Sequence, residues 1–346
     1  MKRKFSAKVI FGILLTFLFL NFGHCNAAPV NDSPVAKRDA VNSLLENNKV
    51  NGVVLFGDLA TNPTVVECNQ PGMKQNDVIT ATGLYPIASL QKVYTGIAIQ
   101  KLIDERKLSL NTKISQFYPS IPNASKITIE NLLTHRSGIK DRTSGPTDLL
   151  KNQKAQMKFA QKNLNSTGKT GIWNYSNSDY ALLAGIISKV TGQSYEKYLS
   201  TNLFKPNNLK NIKFYNQVTN ASQITNAKGS GNAQNNHLNF EELKTGMSGE
   251  LGAGEVFSSA QDYWNFISGL VAGKYVPLNN IISNPYNYYD GVYLGDGIIH
   301  ADGSINGYQS CFIANYRTNQ AFIFFSNNIT FGQMLNLREQ LSNICL

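Results

Sequence analysis

Ser89 and Lys92 stand three residues apart in the stretch YPIASLQKVYTGIAIQKLIDERKLSL, Tyr85 to Leu110. On a helix that spacing puts a hydroxyl and an amine on one face. A serine beside a neutral amine is a weak nucleophile with a base at hand. A helix N-terminus would add free backbone N–H groups and a partial positive charge next to the hydroxyl. Val93, Ile97, Ile99, Leu102 and Ile103 give such a helix an apolar face for a core. A Ser–Lys pair at this spacing also arises by chance, so it means chemistry only if other residues join it.

Two short groups downstream can join it. Tyr175-Ser-Asn177 precedes an apolar helical run, and His300-Ala-Asp302-Gly303-Ser304 falls on or beside a C-terminal strand. A nearby lysine favours the phenolate of a tyrosine. Tyr175 or a neutral Lys92 can then take the serine proton and later return it. Asn177 offers an amide that holds a substrate amide or orients Lys92. The backbone N–H groups of Ser89 and Ser304 form a candidate oxyanion hole.

Other arrangements are weaker. His135 is read as a structural residue in the LLTHRSG turn rather than as the base of a triad. Gly246-Met-Ser248-Gly249 is followed by Glu250, so no Gly-x-Ser-x-Gly elbow exists. The four histidines, His24, His135, His237 and His300, lack zinc spacing, and no Cys-x-x-Cys occurs. No metal or cofactor is expected.

The elements that must position these groups come in a clear order. Val50 to Asp58 and Thr64 to Cys68 read as a hairpin across Asn62-Pro63. Helical patterns dominate the middle. Strand character returns at Val292 to Ile299, Gln309 to Tyr316 and Ala321 to Ser326, before a last helix from Phe331 to Ile344. The fold class is therefore α+β, an α/β sandwich. One antiparallel sheet draws on N- and C-terminal segments, is flanked by helices and carries an inserted, mostly helical subdomain. The sheet part is placed at about 46–86 and 248–346 and the helical part at about 87–247, together one domain over 28–346. Residues 216–247, rich in Asn, Gly, Ser and Thr, read as a long surface loop. Tyr286, Tyr288, Tyr289 and Tyr293 form either a glycan-binding rim or ordinary packing.

The N-terminus reads as a secretory signal over 1–27. Lys2, Arg3, Lys4 and Lys8 precede a 14-residue apolar run, Val9 to Phe22, and small residues follow at Ala27 and Ala28. The run is short for a membrane span of about 20 residues, so an uncleaved anchor is the alternative and the chain's sole route to a membrane. The formal charge of +10 drops to +6 when those four basic residues leave. The remaining basic residues are scattered, which suits work near an anionic polymer and gives no nucleic-acid footprint. Cys68, Cys311 and Cys345 then remain. An odd number excludes a disulfide framework. One bridge, Cys68 to Cys311, or three buried thiols are the open choices.

Taken together, these motifs resemble the serine β-lactamase and penicillin-binding-protein superfamily, on its class C and D-alanyl-D-alanine carboxypeptidase/esterase branch. Ser89 and Lys92 match the first motif, and Tyr175 and Asn177 the second. Longer blocks at 126–139, 175–199 and 249–262 follow the family's order, and the match covers roughly 40–330. The resemblance implies an acyl-enzyme hydrolase exported to the cell envelope. Its substrate would be a peptidoglycan peptide or a D-alanylated wall polymer, with β-lactams as inhibitors. The alternatives are an esterase (D-alanyl ester removal from teichoic acid included), a β-lactamase, or a non-catalytic envelope protein. The third motif departs from the pattern. The family places a cation two residues before Gly303, where this chain has Ala301. Either a one-residue bulge lets His300 fill that place, or it is empty. Asp302 takes the middle position.

Overall fold

Alternating, β-branched runs from both ends of the chain build one sheet in the computed structural model, which describes residues 33–162, 164–166, 168–225 and 239–346. The signal segment 1–27, with its charge and anchor alternatives, lies outside the described residues. The strands of the sheet are β1 (Gly52–Asp58), β2 (Thr64–Cys68), β3 (Tyr288–Tyr289), β4 (Val292–Gly295), β5 (Ile298–Ile305), β6 (Tyr308–Asn315) and β7 (Gln320–Ser326). Their spatial order is β2-β1-β7-β6-β5-β4-β3, antiparallel throughout. β1 lies along β7 from Gly52↔Ser326 to Asp58↔Gln320, so the two ends of the chain meet in the middle of the sheet.

Both faces of this sheet are covered, and period-two alternation sorts its side chains between them. Val54, Phe56, Phe322 and Phe324 pack under α1 (Pro34–Asn47) and the C-terminal α5 (Phe331–Cys345) with Leu45, Met334 and Leu341. Val53, Leu55, Ile323 and Phe325 face the larger core with α2 (Gln91–Asp104), α3 (Asn177–Thr191) and α4 (Ala260–Val271). Each fully buried aliphatic side chain contributes about 1.5–3 kcal/mol. The helix ends obey local rules. Ser259 accepts from the Asp262 N–H at 3.0 Å, Thr330 and Gln333 form a capping box, and Gly192 ends α3 at φ +70°.

The structure differs from the sequence expectations in several places. Val292 to Ile299 is not one strand: a turn at Asp296-Gly297 divides it between β4 and β5. Tyr85 to Leu110 is not one helix. Tyr85 and Pro86 pair with Ser258 and Phe257 as strand, Ala88–Leu90 is a single 3-10 turn, and α2 stops at Asp104. Pro86 lacks an N–H and cannot sit inside a helix. The stretch 216–247 is not all loop: Phe240–Ser248 is a helix capped by Asn239, while 226–238 lies outside the described residues. Cys68, Cys311 and Cys345 are free, buried thiols in the core under α1 and α5. The Cys68–Cys311 bridge is excluded by topology. β2 and β6 stand three strand spacings apart, roughly 14 Å, against the ~6 Å between Cα atoms that a disulfide spans.

Candidate active site

Ser89 sits in the 3-10 turn that delivers the chain into α2. The residue before it, Ala88, holds φ at +48°, a left-handed backbone that costs an L-residue about 1–2 kcal/mol. The neighbours fix that turn. The Ile87 N–H donates to the Val256 carbonyl at 3.1 Å. Ser310 Oγ donates to the Ile87 carbonyl at 3.0 Å, and Tyr263 Oη donates to the Leu90 carbonyl at 3.1 Å. The result is a half-buried Ser89 among buried neighbours, with its hydroxyl at a cleft.

Lys92 lies one turn further on, fully buried. Its Nζ donates to Ser89 Oγ at 3.0 Å and to the Ala253 carbonyl at 3.2 Å. Burial lowers its pKa to about 7; the Glu250 and Asp141 carboxylates oppose that, and Arg142 adds to it. The ammonium and the free amine are therefore both populated near neutral pH. Glu250 is bonded to Arg142, which divides its pull on Lys92.

Tyr175 Oη donates to Ser89 Oγ at 2.9 Å. The Tyr175 ring rests against His135, 4.4 Å between centroids, with Lys92 Nζ 4.8 Å from its own centre. The phenolate expected from a lysine neighbour is not what this environment favours. Burial raises Tyr175 well above its usual value, and the neighbouring Tyr293 raises it further. Tyr175 is held as a protonated hydroxyl, and Lys92 is the group able to be neutral. Asn177 opens α3, and its Oδ1 is buried without a hydrogen-bond partner among the described residues. His135 is buried, adopts φ +55° and bonds Asp179 at 3.2 Å through Nδ1, behind Tyr175 rather than beside Ser89.

The third motif lies on β5, and the bulge considered for His300 is not there. β5 pairs with β6 residue by residue from Ile298↔Asn315 to Ile305↔Tyr308. Alternation then sends Ala301 into the α2-side core. His300 stacks on Tyr293 at 5.0 Å, and its Nδ1 is 3.4 Å from Arg338 of α5. Desolvation lowers His300 to about 4, Asp302 opposing and Arg338 adding, so it is neutral near pH 7. Ala301, not His300, shares the cleft with Ser89. Gly303 faces the Ser89 turn, where a Cβ would lie 2.5 Å from the Ile87 carbonyl oxygen. Only glycine lets strand and turn approach this closely. β4 pairs with β5 only as far as Tyr293↔His300, so, among the described residues, 302–304 form a free edge.

The cleft opens to solvent. Ser89, Tyr175, Tyr288, Tyr293, Ala301, Asp302 and Ser304 line it, with Gly291 and Phe331. Several of these carried no sequence signal. Arg338 grips Asp302 from the last helix, 36 residues away in the chain. Phe331 reaches the cleft because α5 starts there, and Ala253 takes part through its carbonyl alone. Tyr288 and Tyr293 were visible as an aromatic group without a direction. Among the described residues, no cluster of three His, Cys, Asp or Glu side chains is placed to hold a metal ion.

Comparison with known proteins adds an independent observation. The model of the Beta-lactamase family matches residues 71–330, which is most of the chain. The chain belongs to the Beta-lactamase family. One family relative is the putative penicillin-binding protein PbpX of Bacillus subtilis, 29% identical over 310 residues, spanning 84% of this chain and 74% of PbpX. The teichoic acid D-alanine hydrolase of Staphylococcus aureus is 29% identical over 138 residues, 40% of this chain and 34% of that protein. The structure of Staphylococcus aureus FmtA overlays with TM-score 0.76 at 19% identity, covering 92% and 90% of the two chains. D-amino acid amidase from Ochrobactrum anthropi SV3, complexed with D-phenylalanine, gives 0.73 at 21%, covering 84% and 92%. These two overlays establish the shared fold, a helix-flanked antiparallel sheet. The family is one of serine hydrolases, and this chain is a β-lactamase-related, penicillin-binding-protein-like hydrolase.

Proposed function

We propose that Ser89 is the nucleophile of an exported hydrolase that removes D-alanyl groups held in ester linkage on a wall polymer. The observation that carries this reading is the convergence of Lys92 Nζ and Tyr175 Oη on Ser89 Oγ, at 3.0 and 2.9 Å. Neutral Lys92 takes the Ser89 proton as Oγ attacks the D-alanyl carbonyl. The backbone N–H groups of Ser89 and Ser304 receive the oxyanion, with Gly303 letting β5 come close enough for the second. The Tyr175 hydroxyl passes a proton to the leaving oxygen and recovers one from Lys92. Water then attacks the acyl-enzyme, Lys92 takes its proton and passes it to Ser89 Oγ as that bond breaks, and D-alanine leaves. Asn177 orients the bound chain from the start of α3. The segment 1–27 would export the domain and be removed.

Ala301 favours an ester over a peptide ending in a carboxylate, because it puts a methyl group where the family's cation stands. The teichoic acid D-alanine hydrolase relative supports the same substrate. A carboxypeptidase-like, penicillin-binding activity is the second reading. It is favoured by the PbpX relative, whose match spans most of both chains. The test supplies residues 28–346 with D-alanylated lipoteichoic acid and, separately, an N-acyl-D-alanyl-D-alanine peptide, and measures free D-alanine. The ester reading expects release from the polymer and none from Ser89→Ala. Release from the peptide alone would replace it with the carboxypeptidase reading. Release from neither would overturn both.

A further inference from the structure

We infer that Glu255 is a positioning residue for the general base, its carboxyl group fixing the turn whose Ala253 carbonyl orients Lys92. This rests on the hydrolase reading above and adds to it a buried group that takes no part in the proton transfers.

Three observations carry it. First, Glu255 is buried, and the donors that reach its carboxyl group among the described residues are neutral. Gln156 Nε2, from the helix Gln153–Lys162, donates to Oε2 at 2.6 Å. The Gly252 N–H donates to Oε1 at 3.0 Å, and Gln91 Nε2 reaches the same oxygen at 3.5 Å. Burial pushes Glu255 up to about 7 against the pull of these donors, and the Glu196 carboxylate pushes the same way. Tyr195 and Tyr215 are the other titratable groups that face it. A protonated carboxyl keeps acceptor capacity on both oxygens, so the clamp persists in either form. Second, the turn it closes is tied to α2 on both sides of Lys92. Gln91 Oε1 accepts the Glu255 N–H at 2.6 Å, and Thr95 Oγ1 donates to the Gly252 carbonyl at 2.7 Å. Tyr195 Oη links the two ties, 2.6 Å from Thr95 Oγ1 and 3.3 Å from Gln91 Nε2. Third, between those ties the Ala253 carbonyl accepts from Lys92 Nζ at 3.2 Å, with Ser89 Oγ at 3.0 Å on the other side. A neutral amine has two N–H groups and one lone pair. With one N–H on Ala253, the lone pair can face the serine proton it is to take. The same carbonyl also stabilises the ammonium and so raises the proton affinity of Lys92.

The test is Glu255→Gln in residues 28–346, with the p-nitrophenyl ester of D-alanine as substrate. The amide replaces one acceptor oxygen by a donor. Whichever way it turns, it meets the Gly252 N–H or the Gln156 amide donor to donor, and a buried donor left unpaired loosens the turn. Rates are followed from about pH 5 to 9, the span over which Lys92 changes charge. The plateau kcat should fall on the order of tenfold, as a misplaced base does, with KM within about twofold of wild type. The acid limb should move about 0.5 pH unit or more to lower pH, because the loosened carbonyl holds the ammonium less well. Glu250, Asp141, Arg142 and Asp179, the charged and titratable groups that act on Lys92, are the same in both proteins. A loss of folded protein would scale the rate without moving the limb. Gln156→Met keeps the carboxyl group and removes its 2.6 Å donor, so the limb should move the same way by a smaller amount. In Glu255→Gln, an unmoved limb with kcat within about twofold overturns the inference. So does disappearance of the limb, which would make Glu255 itself the titrating group. If Glu255→Gln fails to fold, Gln156→Met decides, and a limb that stays or moves upward overturns the inference. Absence of turnover in the wild type, or turnover that survives Ser89→Ala, sinks the hydrolase reading itself, a result distinct from an unmoved limb.

Discussion

Gly303→Ala tests the packing that joins the two halves of the site. The added Cβ would lie 2.5 Å from the Ile87 carbonyl oxygen and 3.1 Å from Leu90 Cδ1, with Ser310 Oγ nearer still. The two side chains can move aside. The carbonyl cannot, because it is main chain in the tight Ser89 turn and the Leu90 N–H holds it. Restoring an ordinary contact of ~3.5 Å therefore moves β5 from the Ser89 turn by roughly 1 Å. Overpacking of this kind costs about 1–3 kcal/mol. For a domain of this size that is a fall in Tm of roughly 2–10 °C. The same movement carries the Ser304 N–H from the oxyanion position, and a displacement of about 1 Å costs on the order of a hundredfold in rate. Calorimetric melting and kcat/KM on a p-nitrophenyl ester measure the two effects. Adding Ser310→Ala should restore little, since the backbone contact stays. A Gly303→Ala protein that melts within about 1 °C of wild type and keeps activity within about twofold would refute the close-approach argument.

Four further outcomes follow from the same geometry. Lys92 works as a base only when neutral, so kcat/KM should fall tenfold per pH unit below about 7 and level off above it; an acid limb near pH 4 would assign the base to a carboxylate. Tyr175→Phe removes the proton donor at 2.9 Å and should cost about 10²–10⁴ in kcat with the melting temperature little changed. Arg338→Met leaves Asp302 as an unpaired, largely buried carboxylate. It should destabilise by about 2–3 kcal/mol, less than a fully buried pair would because both groups keep some solvent contact, and Asp302→Asn on top should recover most of that. Thiol titration of unfolded residues 28–346, without reductant, should count three cysteines, whereas one would show a bridge.

Much of the fold was legible because hydrophobic period and turn chemistry are local. Thr64–Cys68, the strand Gln320–Ser326 and the last helix from Phe331 lie within a residue or two of where their patterns put them. That one antiparallel sheet draws on both ends of the chain followed from strand character there; that β1 lies against β7 did not. What failed to show was decided by long-range contacts. Tyr85-Pro86 became strand because Phe257 and Ser258 offered it an edge. The side of β5 that carries Ala301 depended on an unbroken ladder with β6, which the residues around His300 do not encode by themselves. Ser89, Lys92 and Tyr175 were readable from spacing and resemblance. Their protonation was not, because it follows from burial, which raises Tyr175 and lowers Lys92. Arg338 was invisible, since a single arginine in a terminal helix carries no mark of its partner.

The most direct measurement of the central claim is the mass of the trapped intermediate. The mature protein is mixed with an excess of the D-alanine p-nitrophenyl ester, or with a penicillin, quenched in acid within the first turnover and digested for mass spectrometry. One added acyl group is expected on the peptide containing Ser89, and none in Ser89→Ala. An acyl group on any other residue, or no adduct despite turnover, would contradict it.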